Sequence, residues 1–341
     1  MKAIVKSKAA KGLWLEELPL PELTDRDVLV KIKKSAICGT DLHIYEWDEW
    51  ARKNVIPGTV IGHEYLGTIV EMGRAATRFK IGDRVSGEGH ITCGFCKNCR
   101  TGNRHFCQHN RTVGIHRAGC FADYLVVPEE NIYLLEGHIN DDLGAIMDPF
   151  GNATHCVRMF DTSDNDVLIT GAGPIGVMAV AIAKHLGARH VVITDVVDYR
   201  LELARKLGAT RAVHVGRESL TDVMKELGIV EGFEVGCEMS GAPQALQDII
   251  NKACYGSKIA LLGLLPKNTS IDWFQVIEKG LTLQGIYGRQ IFNTWFQMDR
   301  MVQTGLNINP VITHRLPADK FQEGFDLMLS KECGKVILNW E

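Results

Sequence analysis

The rhythm of apolar and polar positions changes near residue 160, and the change divides the chain. Before it, short runs at 2–5, 28–33, 65–71 and 121–127 read as strands separated by turns that carry Gly or Pro. From about Thr162, apolar runs alternate with segments of helical period, the pattern of βαβ units around a parallel sheet. Six strands are expected, at 166–170, 190–195, 212–215, 233–239, 258–262 and 281–286, with helices such as 175–186, 199–207 and 243–253 between them. Six such strands suit a doubly wound Rossmann sheet. After Tyr287 the period is helical again, and the chain closes on two strand-like pieces, 314–316 and 335–339, that have no sheet of their own. The expected class is α/β, with a compact β-rich domain over 1–150, a Rossmann domain over 151–290, and a segment over 291–341 that returns to the first domain.

Composition narrows the class. A chain of 341 residues favours two domains. Its 45% hydrophobic and 23% charged residues are those of an ordinary soluble protein. A formal net charge of −3, with both signs interspersed, offers no footprint for nucleic acid or an anionic membrane. No apolar run has the length of a membrane span or of a signal-peptide core, so a cytoplasmic location is expected. In a reducing compartment ten cysteines, four of them clustered, point to metal rather than to disulfides.

Gly171-Ala172-Gly173-Pro174-Ile175-Gly176 follows an expected strand and opens an expected helix, the context a GxGxxG pattern needs. There the glycines permit the tight turn, the approach of backbone to a pyrophosphate and close helix packing, and the helix N-terminus faces the anion. Asp195, at the end of the next strand, is placed to accept hydrogen bonds from the adenosine ribose. Arg200 is the kind of residue that accommodates a 2′-phosphate, but the aspartate would repel that phosphate. The expected cofactor is NAD.

Cys93, Cys96, Cys99 and Cys107 put four thiols in a fifteen-residue loop, enough to close a tetrahedral zinc shell with no position left for chemistry. An iron-sulfur cluster takes the same four ligands. A second set is Cys38, His63 and Glu64, with Asp148 much farther along. A thiolate, an imidazole and a carboxylate are what a catalytic zinc takes when one position stays open.

Gly62-His63-Glu64-x2-Gly67, Gly82-Asp83-Arg84-Val85, the four-cysteine loop and the GAGPIG turn, in that order, resemble the zinc-containing medium-chain dehydrogenases over essentially the whole chain. The segments 36–41, 43–50, 86–93, 148–152 and 285–289 resemble the branch of that family that acts on an amino acid. The resemblance implies a discontinuous GroES-like catalytic domain with the Rossmann domain inserted in it, and an active site in the cleft between them. It implies two zinc ions per chain, one held by Cys38, His63 and Glu64 and one by the four cysteines. Thr40, the cofactor ribose hydroxyl and His43 would conduct a proton. Asp148 stands where relatives carry a ligand; being shorter than glutamate, it is either a ligand or a proton-handling group beside the metal. For NAD the resemblance adds Ile175, Asp195, Arg200, Leu262, Gly263, Leu264, Ile286 and Tyr287 to the glycines Gly171, Gly173 and Gly176. It also implies a homotetramer.

The implied reaction is oxidation of the Cβ hydroxyl of L-threonine to L-2-amino-3-oxobutanoate, with zinc as Lewis acid and histidine, which titrates near neutral pH, as proton carrier. His90 is expected to help select the substrate, and Arg289 to meet either its carboxylate or a cofactor phosphate. The substrate ammonium would face Glu88, Asp148 or the stretch 46–49. Two alternatives stand beside this one: a polyol or 2,3-butanediol dehydrogenase on the same scaffold, and a non-enzymatic protein that binds NAD and zinc.

Overall fold

A computed structural model describes residues 1–341. The chain forms two compact units. One comprises Met1–Pro149, Gln290–Asp299 and Ile312–Glu341, the other Phe150–Arg289 and Arg300–Val311.

The first unit is built on two sheets. Lys2–Lys6 lies between Trp14–Glu17 and Thr59–Val60 in a three-stranded sheet. Asp27–Ala36 is the spine of a seven-stranded sheet, flanked by Tyr65–Met72, Tyr124–Pro128 and Lys335–Asn339. Neighbours cover this spine, and seven of its ten residues are buried, with Val28, Val30 and Ile32 in the core beside Ile4, Ile69 and Phe121. The terminal strands find their sheet here. Lys335–Asn339 pairs antiparallel with Asp27–Ala36, Ile337 opposite Ala36, and parallel with Ile312–Pro317. This pairing carries residue 335 to the segment that follows Ala36, where Ile37 N–H donates to Val336 O at 3.0 Å.

The second unit holds a six-stranded parallel sheet in the order Arg211–His214, His190–Asp195, Asp166–Thr170, Phe233–Glu238, Ala253–Leu261, Thr282–Gly285. This is the doubly wound 3-2-1-4-5-6 arrangement, whose switch point lies beside the first strand. Asp166–Thr170 is buried at every position, as a strand covered on both faces must be.

The expected strands are present, with shifted edges. The strand expected at 258–262 starts at Ala253, and an irregular register against Phe233–Glu238 carries it through the polar turn-like stretch 254–257. The strand expected at 121–127 starts only at Tyr124. The segment 291–341 does not belong to one unit throughout. Arg300–Val311 joins the Rossmann unit, where Met301, Leu306, Ile308 and Val311 are buried and Thr304 Oγ1 lies 3.0 Å from His185 Nε2. The apolar side chains of that stretch are what hold it there. No helix is long and apolar enough to cross a membrane.

Candidate active site

Cys38 ends the spine strand's continuation and caps the helix Gly39–Glu46. Its backbone N–H donates to Asp41 Oδ2 at 2.9 Å, closing the capping box and burying Asp41 completely. His63 and Glu64 arrive on another loop. Its geometry depends on Gly62, which has φ 89°, and a Cβ there would stand 2.2 Å from the Phe121 ring. Only glycine lets the loop lie flat on that ring.

Single donor atoms of Cys38, His63 and Glu64 lie within 4.8 Å of one another. Around them are two further buried carboxylates, Asp41 and Asp148, and one buried ammonium, Lys335. Lys335 bonds Glu64 Oε2 and donates to Ile37 O at 2.7 Å, and Glu64 Oε1 is buried with no hydrogen-bond partner. Burial would depress the His63 imidazole, but the Cys38 sulfur, Asp41 and Asp148 raise it to about 10. Burial pushes the Glu64 carboxyl up, with Lys335 working against it. A thiol, an imidazole and an orphaned carboxylate oxygen, set among excess negative charge, fit a divalent cation with nitrogen and sulfur preferences. Asp148 is not among the mutually close donor atoms; it bears on them through its charge.

The four-cysteine loop meets a sharper test. Its sulfurs are 3.5 Å apart for Cys96 and Cys99, 3.6 Å for Cys93 and Cys107, and 4.0 Å for Cys93 and Cys99. A tetrahedral zinc with Zn–S of about 2.3 Å requires edges of about 3.8 Å. Backbone N–H groups of Cys93 and Cys96 aim at Cys107 and Cys93 sulfurs at 3.4 Å each. Backbone hydrogen bonds near Cys99 and Gln108 bring the Cys96 thiol down to about 6, while burial and its sulfur neighbours push Cys99 up to about 12. The loop fits a closed zinc site.

Thr40 and His43 stand three residues apart on one helix face. Thr40 Oγ1 is 3.9 Å from Cys38 Sγ, and the His43 ring is about half exposed, with Nδ1 2.6 Å from Asp48 Oδ2. The helix thus leads from the buried cluster outward to solvent. His90 lies on a separate strand, half-buried, with Nδ1 3.6 Å from Glu88 Oε1. Glu88 itself is buried, and both its oxygens are engaged: Oε1 by the His90 N–H at 3.0 Å, Oε2 by Trp295 Nε1 at 3.2 Å.

In the Rossmann unit, Gly171 has φ 89°, and a Cβ at Gly176 would meet Gly171 O at 1.9 Å, so helix and turn are in backbone contact. A Cβ at Gly173 would meet nothing within 4 Å: the turn is open at its middle glycine, where the helix Pro174–His185 begins. The backbone there is free for a phosphate to approach. Asp195 Oδ2 accepts from Ala172 N–H at 2.7 Å, and Oδ1 from the Val196 and Val197 N–H groups, at 2.7 and 3.0 Å. These bonds hold its carboxylate at the strand end beside the glycine turn. Arg200 carries a buried, unpartnered Nε close behind. This half of the unit fits an adenine dinucleotide. Leu262, Gly263 and Leu264 follow the strand Ala253–Leu261, and Ile286 and Tyr287 follow Thr282–Gly285, all at carboxyl ends of the sheet. Arg289 is buried, with Nη1 3.4 Å from Asn152 Oδ1.

Lys335 was not foreseen. Its only signal in the sequence is a cation opening an otherwise apolar strand, and its partner Glu64 lies 271 residues away.

Residues 24–137 match the alcohol dehydrogenase GroES-like domain, and 174–304 the zinc-binding dehydrogenase domain. An Escherichia coli alcohol dehydrogenase in complex with NADH has the same fold, with a TM-score of 0.91 at 27% identity over 100% of this chain and 99% of that one. A zinc-binding dehydrogenase of Sinorhizobium meliloti, bound to NADP, gives 0.90 at 26% over 99% and 98%. The chain belongs to the zinc-binding alcohol dehydrogenase family. Within that class it is 57% identical, over 341 residues and the whole of both chains, to the L-threonine 3-dehydrogenase of Photorhabdus laumondii.

Proposed function

We propose that the protein oxidises L-threonine at its Cβ hydroxyl, with NAD as hydride acceptor and a zinc ion held by Cys38, His63 and Glu64. The observation that carries this reading is the full-length 57% identity to a relative of that activity, and the convergence of the three donor atoms supports it. When bound, zinc supplies Lewis acidity toward a hydroxyl oxygen, and NAD supplies the hydride acceptor.

The remaining work falls to the chain's own groups. Thr40, half-buried beside Cys38, receives the hydroxyl proton and passes its own toward His43, which releases it to the water around its exposed ring. Asp148 holds negative charge beside the cluster and favours a cationic site. Lys335 holds Glu64 Oε2 and fixes the carboxylate in orientation, so Oε1 would be the oxygen left to hold a metal. Cys93, Cys96, Cys99 and Cys107 hold a second zinc that stabilises their loop. Asp195 directs the choice of NAD over NADP. His90 selects substrate, and Arg289 meets the substrate carboxylate or a cofactor phosphate.

We further propose a homotetramer. In its support, Thr282–Gly285 leaves one edge of the parallel sheet unpaired, and Tyr255, Trp273, Phe274 and Ile277 of the same unit are exposed apolar residues.

The test of the substrate is steady-state NADH formation with L-threonine, D-threonine, sorbitol and 2,3-butanediol. A site that must satisfy an ammonium and a carboxylate penalises alcohols lacking them, so kcat/KM for L-threonine should exceed the others by about 10²-fold or more. Sorbitol or butanediol matching L-threonine would overturn the substrate assignment.

A further inference from the structure

Asp48 stands where the helix Gly39–Glu46 gives way to the helix Glu49–Asn54. Trp47 between them is left-handed, with φ 56°, and turns the chain so that the Asp48 N–H reaches His43 O at 3.4 Å. The same turn sets the carboxylate against the His43 ring. Oδ2 lies 2.6 Å from Nδ1, while Oδ1 accepts the Ala51 N–H at 2.9 Å and caps the second helix. Each oxygen has its own task. An ionised carboxylate only accepts, so the shared hydrogen belongs to Nδ1, and the neutral ring carries its lone pair on Nε2.

We propose that Asp48 is a positioning residue for the proton path: it locks His43 in the Nδ1–H tautomer and orientation that leave Nε2 as the acceptor for the proton that comes from Thr40. The inference rests on the reading of His43 as proton carrier. The other charged side chains of these helices are engaged elsewhere: Asp41 is buried, accepts the Cys38 N–H at 2.9 Å and lies 3.9 Å from His63 Nδ1. Glu46 pairs with Lys11 at 2.9 Å and Glu49 with Lys53, and Arg52 donates to Trp47 O at 2.9 Å. Asp48 is thus the charged partner of the ring, and Trp50 flanks it with centroids 6.0 Å apart. A half-exposed histidine without such a partner would sample both tautomers and several rotamers. A fraction of molecules would then carry an N–H on Nε2, which cannot accept a proton. As the proton arrives, the carboxylate also stabilises the imidazolium until water takes the proton.

The experiment compares zinc-loaded, full-length wild type with Asp48→Ser, Asp48→Asn, His43→Ala and the double variant Asp48→Ser/His43→Ala. Serine still caps the second helix but is too short to reach the ring, which separates the cap from the positioning role. Asparagine keeps the cap and reach but can accept or donate, so it leaves the tautomer unspecified. In ¹⁵N-histidine spectra, with His43 assigned by its absence in His43→Ala, the wild type should show the Nδ1–H form and both Asp48 variants a mixture. Turnover should fall about tenfold in Asp48→Ser, less than the roughly 10²- to 10⁴-fold expected for His43→Ala, with KM and zinc content unchanged. In the His43→Ala background the serine substitution should cost nothing further. An Nε2–H wild-type ring, or an Asp48→Ser loss that persists in the double variant, overturns the proposal. If Asp48→Ser does not fold, the tautomer and turnover of Asp48→Asn decide it in the same way. Normal turnover in Asp48→Ser with slow His43→Ala refutes the positioning role alone, whereas normal turnover in His43→Ala refutes the proton-carrier reading beneath it.

Discussion

Lys335→Met isolates the one ammonium that the fold sets beside the cluster of Cys38, His63 and Glu64. Lys335 is 2% exposed, and methionine has about its length with no charge. In metal-free protein the substitution leaves Glu64 buried near Asp41 and Asp148 with nothing to offset it, and removing one partner of a buried pair costs about 3–5 kcal/mol. Burial already pushes the Glu64 carboxyl up, so the variant relieves part of this by taking up a proton, and the lower end, about 3 kcal/mol, is expected near neutral pH. For a unit of this size that is a fall in Tm of about 6–12 °C. A zinc ion in the cluster is itself a cation beside the same carboxylate, so the loaded variant should lose only about 1–2 kcal/mol. By linkage the difference has to appear as tighter zinc retention, about 5- to 30-fold. Denaturation followed by tryptophan fluorescence, with zinc and with chelator, measures the first quantity. Five of the six tryptophans (Trp14, Trp47, Trp50, Trp295, Trp340) lie in the unit that holds the site, so the signal reports on that unit. Competition with a chromophoric chelator measures the second. Equal destabilisation in both states, or weaker zinc retention, would show that lysine and metal do not compensate the same carboxylate.

Three other outcomes are expected. Cys99→Ser should lower zinc content from two per chain to one and sensitise the loop 93–107 to protease while the Cys38 cluster stays loaded; loss of both ions would couple sites that are held here as independent. Asp195→Ala should weaken NAD binding by about 1–3 kcal/mol in titrations and improve NADP binding through Arg200; unchanged NAD affinity would remove the aspartate from the cofactor site. Burial favours the neutral form of Asp142, but Lys34 and Arg315 together hold it below the ordinary carboxylate value of 3.8. Its contribution is therefore present at neutral pH and lost as the pH falls from that value through the depressed one. Asp142→Asn should cost on the order of 1–3 kcal/mol at pH 7, and the gap to wild type in urea denaturation should close in acid; a gap constant with pH would mean that the charge is not what stabilises.

Strands that are covered on both faces announce themselves, because their central positions form an unbroken apolar run. Asp166–Thr170, His190–Asp195 and Lys335–Asn339 have the expected bounds for that reason. The start of Ala253–Leu261 was hidden because Cys254, Tyr255 and Gly256 are not buried there; its pairing with Phe233 on the neighbouring strand, not local preference, makes it a strand. Arg300–Val311 was assigned with the rest of the C-terminal segment because an amphipathic period says that a face is buried without saying against what.

The site divides along the same line. The four-cysteine loop and the glycine turn are local patterns whose spacing already contains their chemistry. Cys38, His63 and Glu64 come from two separate loops, and spacing alone left each of them ambiguous; the family resemblance joined them. Resemblance did not reach Lys335, and it reached Asp48 only within the stretch 46–49, as a partner for the substrate ammonium rather than for His43. The first depends on a strand pairing across the length of the chain. The second depends on one left-handed tryptophan, a conformation disfavoured for a bulky residue and so invisible to propensity. Asp48 caps the helix Glu49–Asn54. The unforeseen contact is made by the oxygen that the cap does not use. A capping carboxylate has two oxygens and the cap needs one, so wherever a turn folds back on a histidine, the second is available to fix its tautomer.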